Sequence, residues 1–202
     1  MAIEILAFFA HPDDETMLCG GTLALLSSLG AHVHVLVATR GEGGEMGDPP
    51  LCTREQLGRV REEELRCATQ ALGAASLTLM NYVDPTAGPD NQLFPFTESV
   101  EEVTAQVATA VRSWKVDILM AHGVNGEYGH PAHKLAHQVA LRAIQTLGPD
   151  APLFYTSQAI FPGHPYPRLA NSDELAHLII DINPVMQQKT NAALCHRTQH
   201  DL

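Results

Sequence analysis

The residues best equipped for chemistry lie near the N-terminus. Ala10-His11-Pro12-Asp13-Asp14-Glu15 places one imidazole and three carboxylates within five residues. Like charges crowded at the end of a buried strand repel one another and lose hydration, and a bound cation is the simplest compensation. A catalytic zinc site needs three protein ligands and an open position, and His11 with Asp14 make a natural first pair. A third ligand is expected from Gly129-His130-Pro131-Ala132-His133, two histidines at i, i+3 across a proline suited to the first turn of a helix. One of the two suffices for a metal, leaving the other for the substrate. His133 and His137 form a rival i, i+4 pair, but His137 sits a full turn deeper into the helix. Taken singly, these histidines also read as solvated or capping side chains. The acidic run likewise reads as a helix N-terminus favoured by the macrodipole. That explains Glu15, but not why His11 and two aspartates precede the helix.

Such residues need a scaffold that carries them to one place. Residues 3–9 are a continuous apolar run, as in a strand buried on both faces. Leu18, Thr22, Leu25, Leu26 and Leu29 then follow a helical period that ends at Gly30. A second strand is expected over 33–38, a glycine-rich loop over 39–50, a helix over 54–72 and a third strand over 76–83. The loop 84–90 follows, then a helix marked by Val100, Val103, Val107, Val111 and Trp114, and a strand over 116–120. A polar stretch from His122 leads to a helix over 131–147. Strands at 153–156 and 178–182 are expected around the loop 161–165, with a last helix over 184–200. This alternation predicts an α/β, Rossmann-like, doubly wound and mostly parallel sheet with helices on both faces. The loops after residues 9, 38, 83 and 121 then converge at the carboxyl edge, at a switch point.

Length and composition suit a single domain over 1–202, with 45% hydrophobic and 17% charged residues. A net charge of -11 and the absence of a basic run give no electrostatic footprint for nucleic acid. No signal or membrane segment is readable, so the expected location is cytoplasmic. Cys19, Cys52, Cys67 and Cys195 lack CxxC spacing and read as small apolar residues in a reducing compartment. Nothing marks a tail, which leaves a C-terminal truncation open, and a homo-oligomer is left open too.

Five motifs in register carry a resemblance. They are AHPDDE at 10–15, TRGE at 39–42, RxxEL at 61–65, EYGHPAH at 127–133, and the closing pattern Lys189, Ala192, His196, Gln199. Together they resemble the LmbE-like, or PIG-L, deacetylase superfamily. That superfamily includes N-acetylglucosaminylphosphatidylinositol de-N-acetylase and the deacetylases of mycothiol and bacillithiol biosynthesis. The resemblance runs over nearly the whole chain. It implies zinc-dependent hydrolysis of an N-acetyl group on an N-acetylglucosamine-type amino sugar or its conjugate. It further implies His11, Asp14 and His133 as metal ligands, Asp13 as general base, and His130 with Tyr128 as stabilisers of the tetrahedral oxyanion. Arg61 and Asp84 match positions that resemble sugar-binding residues, and Arg40 lies in a loop facing the same cleft. A His, Asp, His set accepts Zn2+ and Fe2+ alike. Many relatives carry GHxDH where this chain has Ala132, so His130 needs another partner. Thr198 stands where serine is frequent, and roles for Lys189, His196 and Gln199 are open, packing of the last helix being the plain explanation.

Three other functions weigh less. A dinucleotide-binding protein would carry GxGxxG after the first strand, where this chain has HPDDET, whose carboxylates repel a pyrophosphate. A non-catalytic metal- or sugar-binding module would most simply lack a ligand or the base, and a zinc peptidase of the usual kind would carry HExxH.

Overall fold

The computed structural model describes residues 2–157 and 176–200. Its strands and helices alternate: β1 (Glu4–Phe9), α1 (Asp14–Ser28), β2 (His32–Thr39), α2 (Arg54–Ala71), β3 (Ser76–Tyr82), α3 (Val100–Trp114) and β4 (Ile118–Ala121). The four-residue turn α4 (Gly126–Gly129), α5 (Pro131–Leu147), β5 (Leu153–Thr156) and α6 (Met186–Cys195) complete the order. All five strands are parallel, in the order β3-β2-β1-β4-β5. The winding reverses between β1 and β4, and their carboxyl ends open the crevice where such sheets take ligands.

The continuous apolar character of β1 has its cause in burial on both sides. Successive side chains of a strand point to opposite faces. Leu6, Phe8 and Ala10, with Leu36 and Ala38, meet Val103, Val107 and Val111 of α3 and Leu135 and Val139 of α5. Ile5, Ala7 and Phe9, with Val33, Val35 and Val37, meet Leu23 of α1, Leu65 and Ala68 of α2 and Ala192 of α6. No helix among the described residues is long and apolar enough to cross a membrane.

Four expectations need correction. Helix α1 buries the face read from Leu18 to Leu29 only in part, with Leu18, Leu25 and Leu26 packed at the edge of the core. Glu15, Thr16, Cys19, Gly20, Leu23 and Ala24 are buried, while Leu29 is 75% exposed. The polar inner face exists because α1 packs on α6 as well as on the sheet, and Glu15 finds a partner there. Residues 178–182 are not a strand, and Leu178 and Ile179 are exposed. Ile182 instead lies against Gly21 of α1, where any Cβ would collide with it, so the segment crosses the helical layer rather than joining the sheet. The last helix ends at Cys195. Finally, Cys67 and Cys195 form a disulfide joining α2 to α6, leaving Cys19 and Cys52 free. Cysteines 128 residues apart give no spacing signal, and only the packing of α2 on α6 brings them together. The loop expected at 161–165 lies outside the described residues.

A bridge closing so long a loop removes much entropy from the unfolded chain. The double variant Cys67→Ser, Cys195→Ser is expected to lose about 2–4 kcal/mol of stability in denaturant titration, with native far-UV circular dichroism retained.

Candidate active site

Four loops at the carboxyl edge meet as the topology requires. Thr39, closing β2, donates its backbone N–H and its hydroxyl to the Ala10 carbonyl, at 3.1 and 3.0 Å. His122, after β4, accepts the Ala10 N–H on Nε2 at 3.1 Å. Asp84, after β3, brings Oδ1 to 3.2 Å from His11 Nε2. His133, in the first turn of α5, reaches the loop after β1.

At the centre, His11 Nδ1 and His133 Nε2 are 3.2 Å apart. Asp14 Oδ1 lies 3.3 Å from His133 Nε2, and Asp14 Oδ2 lies 3.5 Å from His11 Nδ1. The His11 backbone N–H donates to Asp14 Oδ2 at 2.8 Å and aims the carboxylate inward. All three side chains are almost fully buried.

The outer nitrogens settle what the inner ones present. Glu127 Oε2 lies 2.9 Å from His133 Nδ1 and 3.0 Å from His122 Nδ1, so both rings donate to it. Asp84 stands on the outer side of the ring and favours positive charge on His11. Two imidazole lone pairs and a carboxylate therefore face one another, and a positive charge must stand among them. Burial lowers the basicity of His11, yet Asp14 and Asp84 outweigh it and raise its pKa to about 10. A proton meets the demand; a divalent cation meets it better. Ligand atoms at about 2.0–2.1 Å from a tetrahedral ion lie about 3.3 Å from each other, close to the spacings here. The donor set fits zinc, and the carboxylates behind each histidine are the outer partners such ligands need.

Two flanking histidines have their lone pairs occupied. His122 accepts Ala10 N–H, and His130 accepts the Ala132 N–H on Nδ1 at 3.2 Å as the N-cap of α5. His122, His133 and His130 stack, with neighbouring centroids 4.1 and 4.6 Å apart. The His130 pKa falls to about 3, through burial first and then the nearby His11 and His133. His130 is thus a neutral imidazole carrying its proton on Nε2, and the backbone of Ala132 supplies the partner its methyl side chain cannot. Other histidine and carboxylate triplets are close enough for a metal, His11 with His130 and His133, and Asp14 with His122 and His133. The occupied nitrogens of His122 and His130 argue against both.

Asp13 stands beside the converging set at φ 104°, a conformation few non-glycine residues adopt. Arg61 holds it there. Its Nη2 donates to Asp13 Oδ2 at 3.1 Å and to the Pro12 carbonyl at 2.5 Å, and its Nη1 donates to the Gly41 carbonyl at 3.0 Å. Gly41 and Gly44 leave room for that guanidinium, which a Cβ at either position would strike. Desolvation, with Asp14 adding to it and Arg61 opposing it, raises the Asp13 pKa to about 6. Tyr128 is half exposed, its ring edge-on to His130 and His133, and burial pushes its pKa up, keeping it protonated.

Several of the expected residues have side-chain partners of their own. Arg61 and Asp84, expected on the sugar, are turned inward onto Asp13 and His11. Arg40, also expected there, is partly exposed and pairs through Nε with Glu62 at 2.5 Å. Its backbone N–H and that of Asp84 both donate to Glu42 Oε2, which joins the loops after β2 and β3. His137 donates through Nδ1 to the His122 carbonyl at 2.9 Å and stays out of the converging set. Glu127 and His122 were missed as site residues. Their signal was the polar stretch itself, in which Glu127 follows Gly126 and adopts φ 58°. Glu15, read as a helix start, is fully buried and pairs with His196.

Comparison with known proteins adds a second kind of finding. Residues 6–144 match the PIG-L family, described as GlcNAc-PI de-N-acetylase. The 1D-myo-inositol 2-acetamido-2-deoxy-alpha-D-glucopyranoside deacetylase of Geodermatophilus obscurus is 35% identical over 73% of this chain and 55% of its own length. The protein of the same name in Rhodococcus opacus is 31% identical over 97% of this chain and 81% of its own length. Among solved structures, N,N'-diacetylchitobiose deacetylase from Pyrococcus horikoshii superposes with a TM-score of 0.70 at 22% identity, covering 98% of this chain and 71% of that one. The 4-carboxy-2-hydroxymuconate hydratase GalB of Pseudomonas putida gives 0.72 at 22% identity, over 98% and 80%. These likenesses show the fold. A deacetylase and a hydratase share it, so the reaction has to be argued from the site.

Metal titration with a competing chelator reads the ligand assignment. His133→Ala is expected to abolish tight binding and His137→Ala to keep it. Glu127→Gln, which loosens His133, is expected to weaken affinity by about 10- to 100-fold.

Proposed function

We propose, from the premise that this chain belongs to the PIG-L family, that it is a metal-dependent N-deacetylase acting on an N-acetylglucosamine-type amino sugar. The observation that carries the reading is Asp13, a strained carboxylate held by Arg61 against a buried His, Asp, His donor set but outside it. Relatives named for deacetylation of an N-acetylglucosaminyl inositol make a glycosyl-inositol the first substrate to try.

His11, Asp14 and His133 would hold the ion, with zinc or ferrous iron suiting the donors. When bound, a divalent ion polarises an amide carbonyl and acidifies a coordinated water. The chain's own groups do the rest. Asp13 takes the proton of the attacking water and, in the same position, can return it to the leaving amine. His130, with Nδ1 occupied by the Ala132 N–H and its basicity lowered, is less suited to that second transfer. It donates a hydrogen bond instead, to the oxygen that becomes negative as the tetrahedral centre forms, and the Tyr128 hydroxyl can donate to the same atom.

Polar recognition of the sugar falls to groups at the rim. Arg40 is one candidate. Arg61 and Asp84 serve as positioning residues, for Asp13 and for His11 respectively. A non-catalytic binding module would have no need to keep an aspartate at positive φ beside the donors, since such a conformation costs about 1–3 kcal/mol.

Release of free amine from N-acetylglucosaminyl inositol, followed with fluorescamine, tests the proposal. Chelation is expected to abolish turnover and added Zn2+ or Fe2+ to restore it. Asp13→Ala is expected to keep the metal and lose about 10²- to 10⁴-fold in kcat. A metal-loaded wild type that releases no amine from any N-acetylglucosaminide would overturn the reading.

A further inference from the structure

The C-terminal segment enters the site from behind. Glu15 is fully buried, and its two carboxylate oxygens do different things. Oε2 accepts the Asp13 backbone N–H at 3.0 Å. Oε1 accepts from the Thr16 hydroxyl at 2.6 Å and from His196 Nε2 at 3.0 Å. His196 is also fully buried, and its Nδ1 has no hydrogen-bond partner among the described residues. Its one hydrogen-bonding nitrogen, Nε2, faces Glu15 Oε1 and, at 3.3 Å, the Thr16 hydroxyl.

The chain fixes His196 from both sides. Cys195, the residue before it, is bridged to Cys67 of α2. Thr198 gives its backbone N–H and its hydroxyl to the two oxygens of buried Glu64, at 2.9 and 2.7 Å. The Gln199 side chain donates to the Glu45 carbonyl at 2.9 Å. Between these anchors the backbone leaves the helix, with His196 at φ -81° and ψ 61°, and the ring turns toward Glu15. Packing alone does not require a polar ring there, since a buried imidazole with an unpartnered nitrogen is less favourable than an apolar side chain of similar shape.

We propose that His196 is a positioning residue, holding Glu15 so that Glu15 fixes the backbone of Asp13 in its left-handed conformation. The proposal rests on Asp13 being the base. Arg61 grips the Asp13 carboxylate, while the His196–Glu15 pair grips its N–H, so the two act on opposite ends of one strained residue. Without His196, Glu15 Oε1 keeps only the neighbouring Thr16 hydroxyl in a site shut off from water. Its carboxylate turns, and Asp13 relaxes away from the donor set. A displacement of about 1 Å at a reacting group costs about 100-fold in rate.

Three variants separate positioning from packing. His196→Phe keeps an aromatic ring and removes the donor, His196→Gln keeps an N–H that reaches Glu15, and Asp13→Asn removes the base. Metal content, KM, kcat per metal-loaded protein and melting temperature are measured for each, using amine release from N-acetylglucosaminyl inositol. The expected result is a kcat lowered by about 10- to 100-fold in His196→Phe, with metal and KM retained and much of the rate recovered in His196→Gln. Adding His196→Phe to Asp13→Asn is expected to lower kcat no further. A kcat unchanged in His196→Phe, or an equal loss in the Asp13→Asn background, would overturn the positioning role while leaving the base assignment intact. Near-normal kcat in Asp13→Asn alone would instead remove the base assignment, and this proposal with it.

Discussion

Two imidazole lone pairs and a carboxylate pointing at one another across 3.2 to 3.5 Å define the constraint on which this structure depends. Left to themselves they repel, and each is too buried for water to screen it. The fold answers with carboxylates on the outer side of each ring, Asp84 behind His11 and Glu127 behind His133. Those partners also make the centre a place for positive charge.

The same constraint explains the strain around it. His11, Asp13 and Asp14 follow one strand directly, and a metal donor set has no place for all the carboxylates of so short a run. Asp13 is turned aside into positive φ, with Arg61 on its carboxylate and Glu15 on its backbone. Glu127 accepts a similar strain so that one carboxylate can serve His122, His133 and the Gly123 N–H together. The parallel sheet makes this possible, because β1 and β4 deliver their loops to the two sides of one crevice.

Much of this is legible in the sequence. The apolar run of β1, the valine periodicity of α3 and the alternation of strand and helix lead to the doubly wound sheet. His11, Asp13, Asp14, His130 and His133, singled out by type and spacing, are brought together. What the sequence hides has a common cause, in that it depends on contacts between distant segments. Glu15 looks like a helix start until His196 arrives from 181 residues away. Asp84 looks like a turn residue until β3 is laid beside β2. The pairing of Cys67 with Cys195 needs α2 on α6, and the exposed Leu178 and Ile179 follow strand propensity with no strand paired to them among the described residues. Arg61 was expected to meet a sugar, and its contact with Asp13 Oδ2 was hidden because 48 residues separate the two in the chain.

Anomalous diffraction from crystals of the zinc-loaded protein, recorded on both sides of the zinc edge, locates the ion among these side chains. One strong peak is predicted about 2 Å from His11 Nδ1, His133 Nε2 and the Asp14 carboxylate, with Asp13 and His130 uncoordinated. A peak bound instead through His122 or His130, or no peak between His11 and His133, would contradict the account.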